Sequence, residues 1–142
     1  MLRSLPMNVF VYGTLLIPEI WNAVTGEPGL AASPATLPGY RILRVRNAAY
    51  PGIVAVGDGD SVDGKIVFDI PDLALRRLDA YEDAFYRRAE VHPETTDGSL
   101  VPAQAYLVPV EVAELWLSDE PWTLEWFEAN ELDRFRRQII AR

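Results

Sequence analysis

The 142-residue chain contains no cysteine. Disulfides, thiolate catalysis, zinc knuckles and iron–sulfur clusters are thereby excluded, and a reducing compartment is permitted. It has one histidine, His92, so there is no His-rich metal site, and a Ser–His–Asp triad is disfavoured. Cations are scarce: 13 Lys and Arg stand against 21 Asp and Glu, a formal charge of -8. Such a chain repels phosphate backbones, and no nucleic-acid partner is expected. No apolar run approaches the ~18 residues that span a bilayer, so no membrane partner is expected. Repeats and low-complexity tracts are absent. The opening residues, Met1 to Asn8, resemble a signal peptide only in Arg3. The apolar stretch after them is short, contains Gly13 and lacks a small-x-small cleavage site. It reads as a first strand, and a cytoplasmic location is expected.

Hydrophobic residues make up 49% of the chain and charged residues 24%, the composition of a folded protein. A globule of this size hides roughly 68% of its unfolded surface, enough for one core. A single domain over residues 1–142 is expected. Val9 to Tyr12 is a compact apolar run ending at Gly13, the pattern of a buried strand entering a loop. Pro18 to Thr25 reads as a short helix stopped by Gly26 and Pro28. Thr36 to Arg46 is β-like, with a bend at Pro38-Gly39. Tyr50-Pro51-Gly52 and Asp58-Gly59-Asp60 read as turns around a strand at Ile53–Val56, and Val62 to Ile70 as a longer strand. Asp72 reads as the N-cap of a helix running to Glu82. Tyr86 to His92 and Leu100 to Val108 flank Asp97-Gly98, a strong hairpin signal. Pro121 is expected to start a final helix with a wide apolar face. About six strands without regular βαβ alternation exclude a doubly wound sheet. They fit a small, mostly antiparallel barrel or curved sheet with helices around it.

Two places carry chemistry. At Tyr12-Gly13-Thr14-Leu15 a strand delivers the chain to a glycine, which takes backbone angles other residues avoid. Successive N–H groups there could form an anion-binding nest, or the segment is a plain strand-ending turn. The second is Glu82. At ~100° per residue, Ala74, Leu78, Tyr81 and Phe85 share one helix face, and Glu82 borders it. A carboxylate held against apolar surface has its pKa raised and becomes a better base near neutrality. The bland alternative is a solvated glutamate paired with Arg87 or Arg88. Asp58 to Gly64 fails the calcium-loop pattern at its fifth and sixth positions, Val62 and Asp63.

Val9 to Leu15 (VFVYGTL) resembles the signature loop of the gamma-glutamylcyclotransferase-like family, which includes the plant avirulence-induced-gene proteins. Leu78 to Arg88 (LDAYEDAFYRR) resembles that family's second signature. Tyr50 to Val54, Val62 to Gly64 and Tyr106 also match family positions. The resemblance spans residues 8–108, followed by a helical extension over about 111–142. It implies an α+β fold, a small mixed, mostly antiparallel β-barrel with flanking helices. It also implies that Glu82 is the catalytic acid–base and that Tyr12, Gly13, Thr14, Leu15, Leu16 and Ile17 bind substrate. Tyr50, Tyr86 and Tyr106 are candidate supporting residues, with a core role equally open to Tyr86 and Tyr106. Asp83 stands where the family usually has glycine, a departure that could raise the Glu82 pKa or alter the turn and the preferred substrate.

The implied partner is a small γ-glutamyl amide, closed to 5-oxoproline by its own α-amine. No cofactor and no metal are implied. The leaving amine and the oligomeric state stay open. A binding module on the same fold is the alternative. A hydrolase using Asp79 and Glu82 is disfavoured, because their i,i+3 spacing puts both on one side of any scissile bond.

Overall fold

The structure, a computed structural model, describes residues 7–140; the opening segment with Arg3 lies outside the described residues. Strand β1 (Met7–Val11) explains its own sequence. Val9 and Val11 pack with Ile20, Ile70 and Leu78 on one face, while Phe10 and Tyr12 pack with Ile53, Ile66 and Ala105 on the other. A strand covered on both faces has no solvent side to keep polar, hence the unbroken apolar run. Its neighbours are β5 (Ser61–Ile70), antiparallel, and β8 (Ala103–Leu107), parallel with Val9 opposite Gln104. Gly64 of β5 is a steric necessity: a Cβ there would lie 2.2 Å from the Val11 carbonyl oxygen.

β2 (Ala32–Pro38), β6 (Arg87–Val91) and the two-residue β7 (Glu94–Thr95) complete a six-stranded sheet, ordered β6-β8-β1-β5-β2-β7. A second sheet holds β4 (Pro51–Ala55), β3 (Tyr40–Val45) and β9 (Leu117–Pro121), all antiparallel neighbours in that order. The expected barrel is therefore not formed. Neither sheet closes: β6 and β7 are opposite edges of the larger one, with no ladder between them. Two residues, His92 and Pro93, join those edges, so the sheet curls until Val91 and Glu94 are within about 11 Å by chain length alone. Pro93 has no N–H to donate at that point, which removes one bond a closing ladder would need. The chain also leaves the first sheet at Gly39 (φ 85°) and carries β3 into the second.

Helix α1 (Pro18–Thr25) has the expected bounds, with Pro18 in its first turn and Gly26 in the left-handed conformation at its end. Helix α2 (Asp72–Tyr81) buries Ala74, Leu75 and Leu78. Asp72 is its first residue rather than its cap; Pro71 holds the cap position, and Asp72 instead complements the helix dipole. Pro51 and Gly52 belong to β4 rather than to a turn. The segment from residue 111, expected as purely helical, contributes a one-turn helix α3 (Ala113–Trp116) and strand β9. Pro121 ends that strand. Thr123 caps the next helix, α4 (Leu124–Asn130), accepting from the Trp126 N–H at 3.1 Å. The chain breaks at Glu131 and continues as α5 (Leu132–Ile140). Phe127, fully buried, anchors this region: Phe135 of α5 meets its ring edge-on at 5.4 Å. Burying such a side chain contributes roughly 1.5–3 kcal/mol. No described helix is long and apolar enough to cross a membrane.

Candidate active site

The loop after β1 is built from local geometry. Thr14 to Leu16 form a single 3₁₀ turn, closed by Leu16 N–H to Gly13 O (3.0 Å) and Ile17 N–H to Thr14 O (3.1 Å). The first N–H groups of any such turn have no partner within it. Gly13 is required by contact rather than by dihedral angle. Its φ is −118°, but a Cβ there would sit 2.8 Å from Cγ of Pro51. Thr14 Oγ1 lies 3.2 Å from the Tyr81 hydroxyl, joining the loop to the last turn of α2.

Helix α2 ends one residue short of Glu82. Glu82 donates its N–H to the Leu78 carbonyl (3.1 Å), then takes an extended conformation, φ −75° and ψ 144°. Phe85, projected onto the helix face from sequence, lies in the following turn and stacks on Trp116 at 4.6 Å. The Glu82 side chain is half-buried, and among the described residues nothing pairs with its carboxylate. Its pKa is pushed up to about 8, first by burial, then by the charges of Asp83 and Asp79. Its place at a helix C-terminus, the negative end of the dipole, acts in the same direction.

Both features face one cavity of about 160 Å³. It is lined by Tyr12, Gly13, Thr14 and Leu15 of the loop, by Glu82 and Asp83 after α2, and by Tyr50, Tyr86 and Tyr106. Leu16 and Ile17 do not line it; Ile17 is buried in the core against the helices. The tyrosines hold their hydroxyls on other acceptors. Tyr12 donates to the Tyr106 carbonyl (2.6 Å), Tyr86 to the Pro51 carbonyl (2.5 Å), Tyr106 to Asp79 (2.7 Å) and Tyr50 to Asp83. Burial, followed by nearby negative charge, raises the pKa of all four, so they stay neutral phenols. Tyr86 and Tyr106 thus shape the cavity, and neither hydroxyl bonds to Glu82.

Asp79 has a different environment. Its carboxylate accepts from Tyr106 and is paired with Arg88 Nε at 3.0 Å. Arg88 therefore serves Asp79 rather than Glu82, and Asp79 lies outside the cavity lining. Sequence reasoning missed Phe135 and Gln138 of α5, which close a further side of the cavity. Their i,i+3 spacing puts them on one helix face, the only signal the sequence carried. Among the described residues no cluster of three or more His, Asp or Glu could hold a metal ion.

The family model described as "Gamma-glutamyl cyclotransferase, AIG2-like" matches residues 9–124, most of the chain. The chain belongs to that family. Both loop and glutamate fall inside the matched span, whereas Phe135 and Gln138 lie beyond it. Among curated proteins, AIG2-like protein D of Arabidopsis thaliana is 36% identical over 92 residues, covering 65% of this chain and 59% of that protein. Protein AIG2 C of the same plant is 35% identical over 92 residues, 65% of this chain and 54% of its own. The chain thus spans somewhat over half the length of these AIG2-like relatives. The solution structure of At3g28950.1 from Arabidopsis thaliana superposes with a TM-score of 0.71 at 25% identity, covering 98% of this chain and 82% of that one. A solved gamma-glutamyl cyclotransferase superposes with a TM-score of 0.66 over 95% of this chain and 86% of its own; at 19% identity that likeness is one of fold.

Proposed function

We propose that this protein converts a γ-glutamyl amide into 5-oxoproline and a free amine, with Glu82 as the acid–base. The observation that carries the reading is the pairing of an unpartnered, half-buried Glu82 with the Tyr12–Leu15 loop across one cavity. Membership of the family supports it.

The reaction needs few parts. The substrate's α-ammonium first gives a proton to the Glu82 carboxylate. A carboxyl with a pKa near 8 is matched to an α-amino group of ~8, so the transfer is nearly thermoneutral. The neutral amine attacks the γ-carbonyl carbon, and the carbonyl oxygen becomes an oxyanion. The Glu82 carboxyl then passes its proton to the amide nitrogen, and the resulting carboxylate takes a proton from the attacking nitrogen as the oxyanion collapses and the C–N bond breaks. The ring nitrogen keeps one hydrogen, and the proton now on Glu82 goes to the departing amine, which leaves as an ammonium. No water is consumed.

Holding the substrate folded in the cavity would lower the entropic part of the barrier by several kcal/mol. In this reading N–H groups of the Gly13–Leu15 turn would hold the substrate carboxylate or the oxyanion, and one oxyanion donor is worth about 3 kcal/mol. Arg88 keeps Asp79 occupied and Tyr50 donates to Asp83, which leaves Glu82 as the cavity carboxyl with no partner among the described residues.

The test is release of 5-oxoproline from a panel of γ-glutamyl amides, by wild type and by Glu82→Gln. Turnover by wild type and a loss of at least about 100-fold in a folded Glu82→Gln support the reading. Retained turnover in the variant removes Glu82 from the role. No turnover with any amide, accompanied by ligand-dependent stabilisation, would make the protein a binding module.

A further inference from the structure

The cavity is asymmetric in charge. Its floor, Phe10 to Leu15 with Tyr106, is buried. Of its lining residues only Asp83 and Gln138 are exposed, so they mark the mouth. Asp83 comes from the turn after α2 and Gln138 from α5. Among the described residues the lining includes no lysine or arginine. Arg88 is paired with Asp79, and Arg136 with Glu19 and Asp133; Arg87 and Arg137, sequence neighbours of Tyr86 and Gln138, do not line the cavity. Asp83 is not a loose surface acid, because the Tyr50 hydroxyl donates to its carboxylate and holds it at the rim.

Given the cyclisation reading, on which this inference rests, the closing ring must lie against Glu82 and the loop. The departing amine is then the part of the substrate that extends to the mouth. There the described lining offers one carboxylate and one neutral amide. We infer that Asp83 determines specificity for the leaving group, selecting an amine that carries a second cationic centre over one that carries a carboxylate. A polar ligand without charge falls between. The contact is partly solvated, so its effect is moderate: roughly tenfold in kcat/KM between oppositely charged leaving groups, and smaller at high ionic strength.

Three γ-glutamyl amides of similar length separate the possibilities: those of 1,4-diaminobutane (cationic), butylamine (neutral) and 4-aminobutyrate (anionic). Release of 5-oxoproline from each is measured with wild type, Asp83→Asn and Gln138→Lys. Substituting Asp83 also alters the basicity of Glu82, but that change acts on all three amides alike, so the ratio between them isolates the selection. Wild type is expected to prefer the cationic amide over the anionic by about tenfold. Asp83→Asn should bring the ratio close to one, and Gln138→Lys, a cation on the opposite rim, should lower it as well. A wild-type preference for the neutral or anionic amide, or an unchanged ratio in Asp83→Asn, overturns the assignment. The cyclisation reading would stand in that case, because 5-oxoproline is still released. If none of the three amides yields 5-oxoproline, the cyclisation reading itself falls, and the inference with it.

Discussion

Asp79 and Glu82 lie three residues apart at the end of α2, and among the described residues only the Asp79 carboxylate has a partner. Its carboxylate takes Arg88 at 3.0 Å and the Tyr106 hydroxyl at 2.7 Å, while that of Glu82 has no partner among the described residues. The helix ends between them, at Tyr81, and the change of backbone direction turns Glu82 to the cavity. The same short segment thus supplies one acid that is paired and fixed and one that holds its proton to about pH 8. Separating the two environments gives two carboxyl groups two jobs.

The stability of the protein should record this. The Glu82 carboxyl titrates near 4.5 when unfolded and near 8 when folded. Between those values the native state holds a proton that the unfolded state has released. Stability therefore falls as pH rises across that window. Glu82→Gln removes the effect. Its Tm relative to wild type should increase from pH 4 to pH 8, as read by thermal unfolding at constant ionic strength. A difference independent of pH would refute the raised pKa.

Activity should rise on the acid side with an apparent pKa near 8, because Glu82 must be ionised to accept the first proton. Asp83→Asn removes a charge that raises this pKa and should shift the limb to lower pH. Arg88→Met has the opposite sign: Asp79 keeps its charge without its cation, and the limb moves up. The exposed ion pair itself contributes at most about 1 kcal/mol, so Arg88→Met should remain folded. Profiles of kcat/KM against pH for the three proteins check all three directions.

Gly13→Ala should impair both fold and function. The added methyl would meet the Pro51 ring at 2.8 Å, and a proline ring cannot rotate away. Overpacking of this kind costs about 1–3 kcal/mol. The loop would be displaced from the cavity wall, raising KM and lowering kcat together. Denaturant unfolding and steady-state kinetics measure the two effects separately.

The parts of the fold visible in the sequence were those set by local rules. Val9 to Tyr12 announced a strand buried on both faces, and Pro18 and Gly26 bracketed α1. Leu78 marked the inner face of α2, and with it the neighbourhood of Glu82. The expected end of that helix at Glu82 lies one residue past the observed one, but Phe85 was carried onto its face, because no glycine or proline stands at 82 or 83 to mark the stop. Closure of the sheet was equally unreadable. Strand patterns say which residues pair, but whether two edges meet depends on Gly39, which sends β3 into another sheet, and on Pro93, which cannot donate between the edges. Residues after Asn130 were legible as an apolar helix face. That Phe135 and Gln138 of this face reach the cavity is a matter of tertiary placement, which periodicity does not encode.

The two sides of the cavity hang from supports of unequal strength. The loop side continues β1, sandwiched between β5 and β8 in the middle of its sheet. The side bearing Phe135 and Gln138 is a peripheral helix, tied to α1 by the exposed Arg136–Glu19 pair at 2.6 Å. Amide hydrogens of Phe10 and Val11 will accordingly be among the slowest in the molecule to exchange with deuterium, and those of Phe135 to Gln138 much faster. On the cyclisation reading, a substrate would enter and leave where the helix yields, past a loop held in place by its sheet.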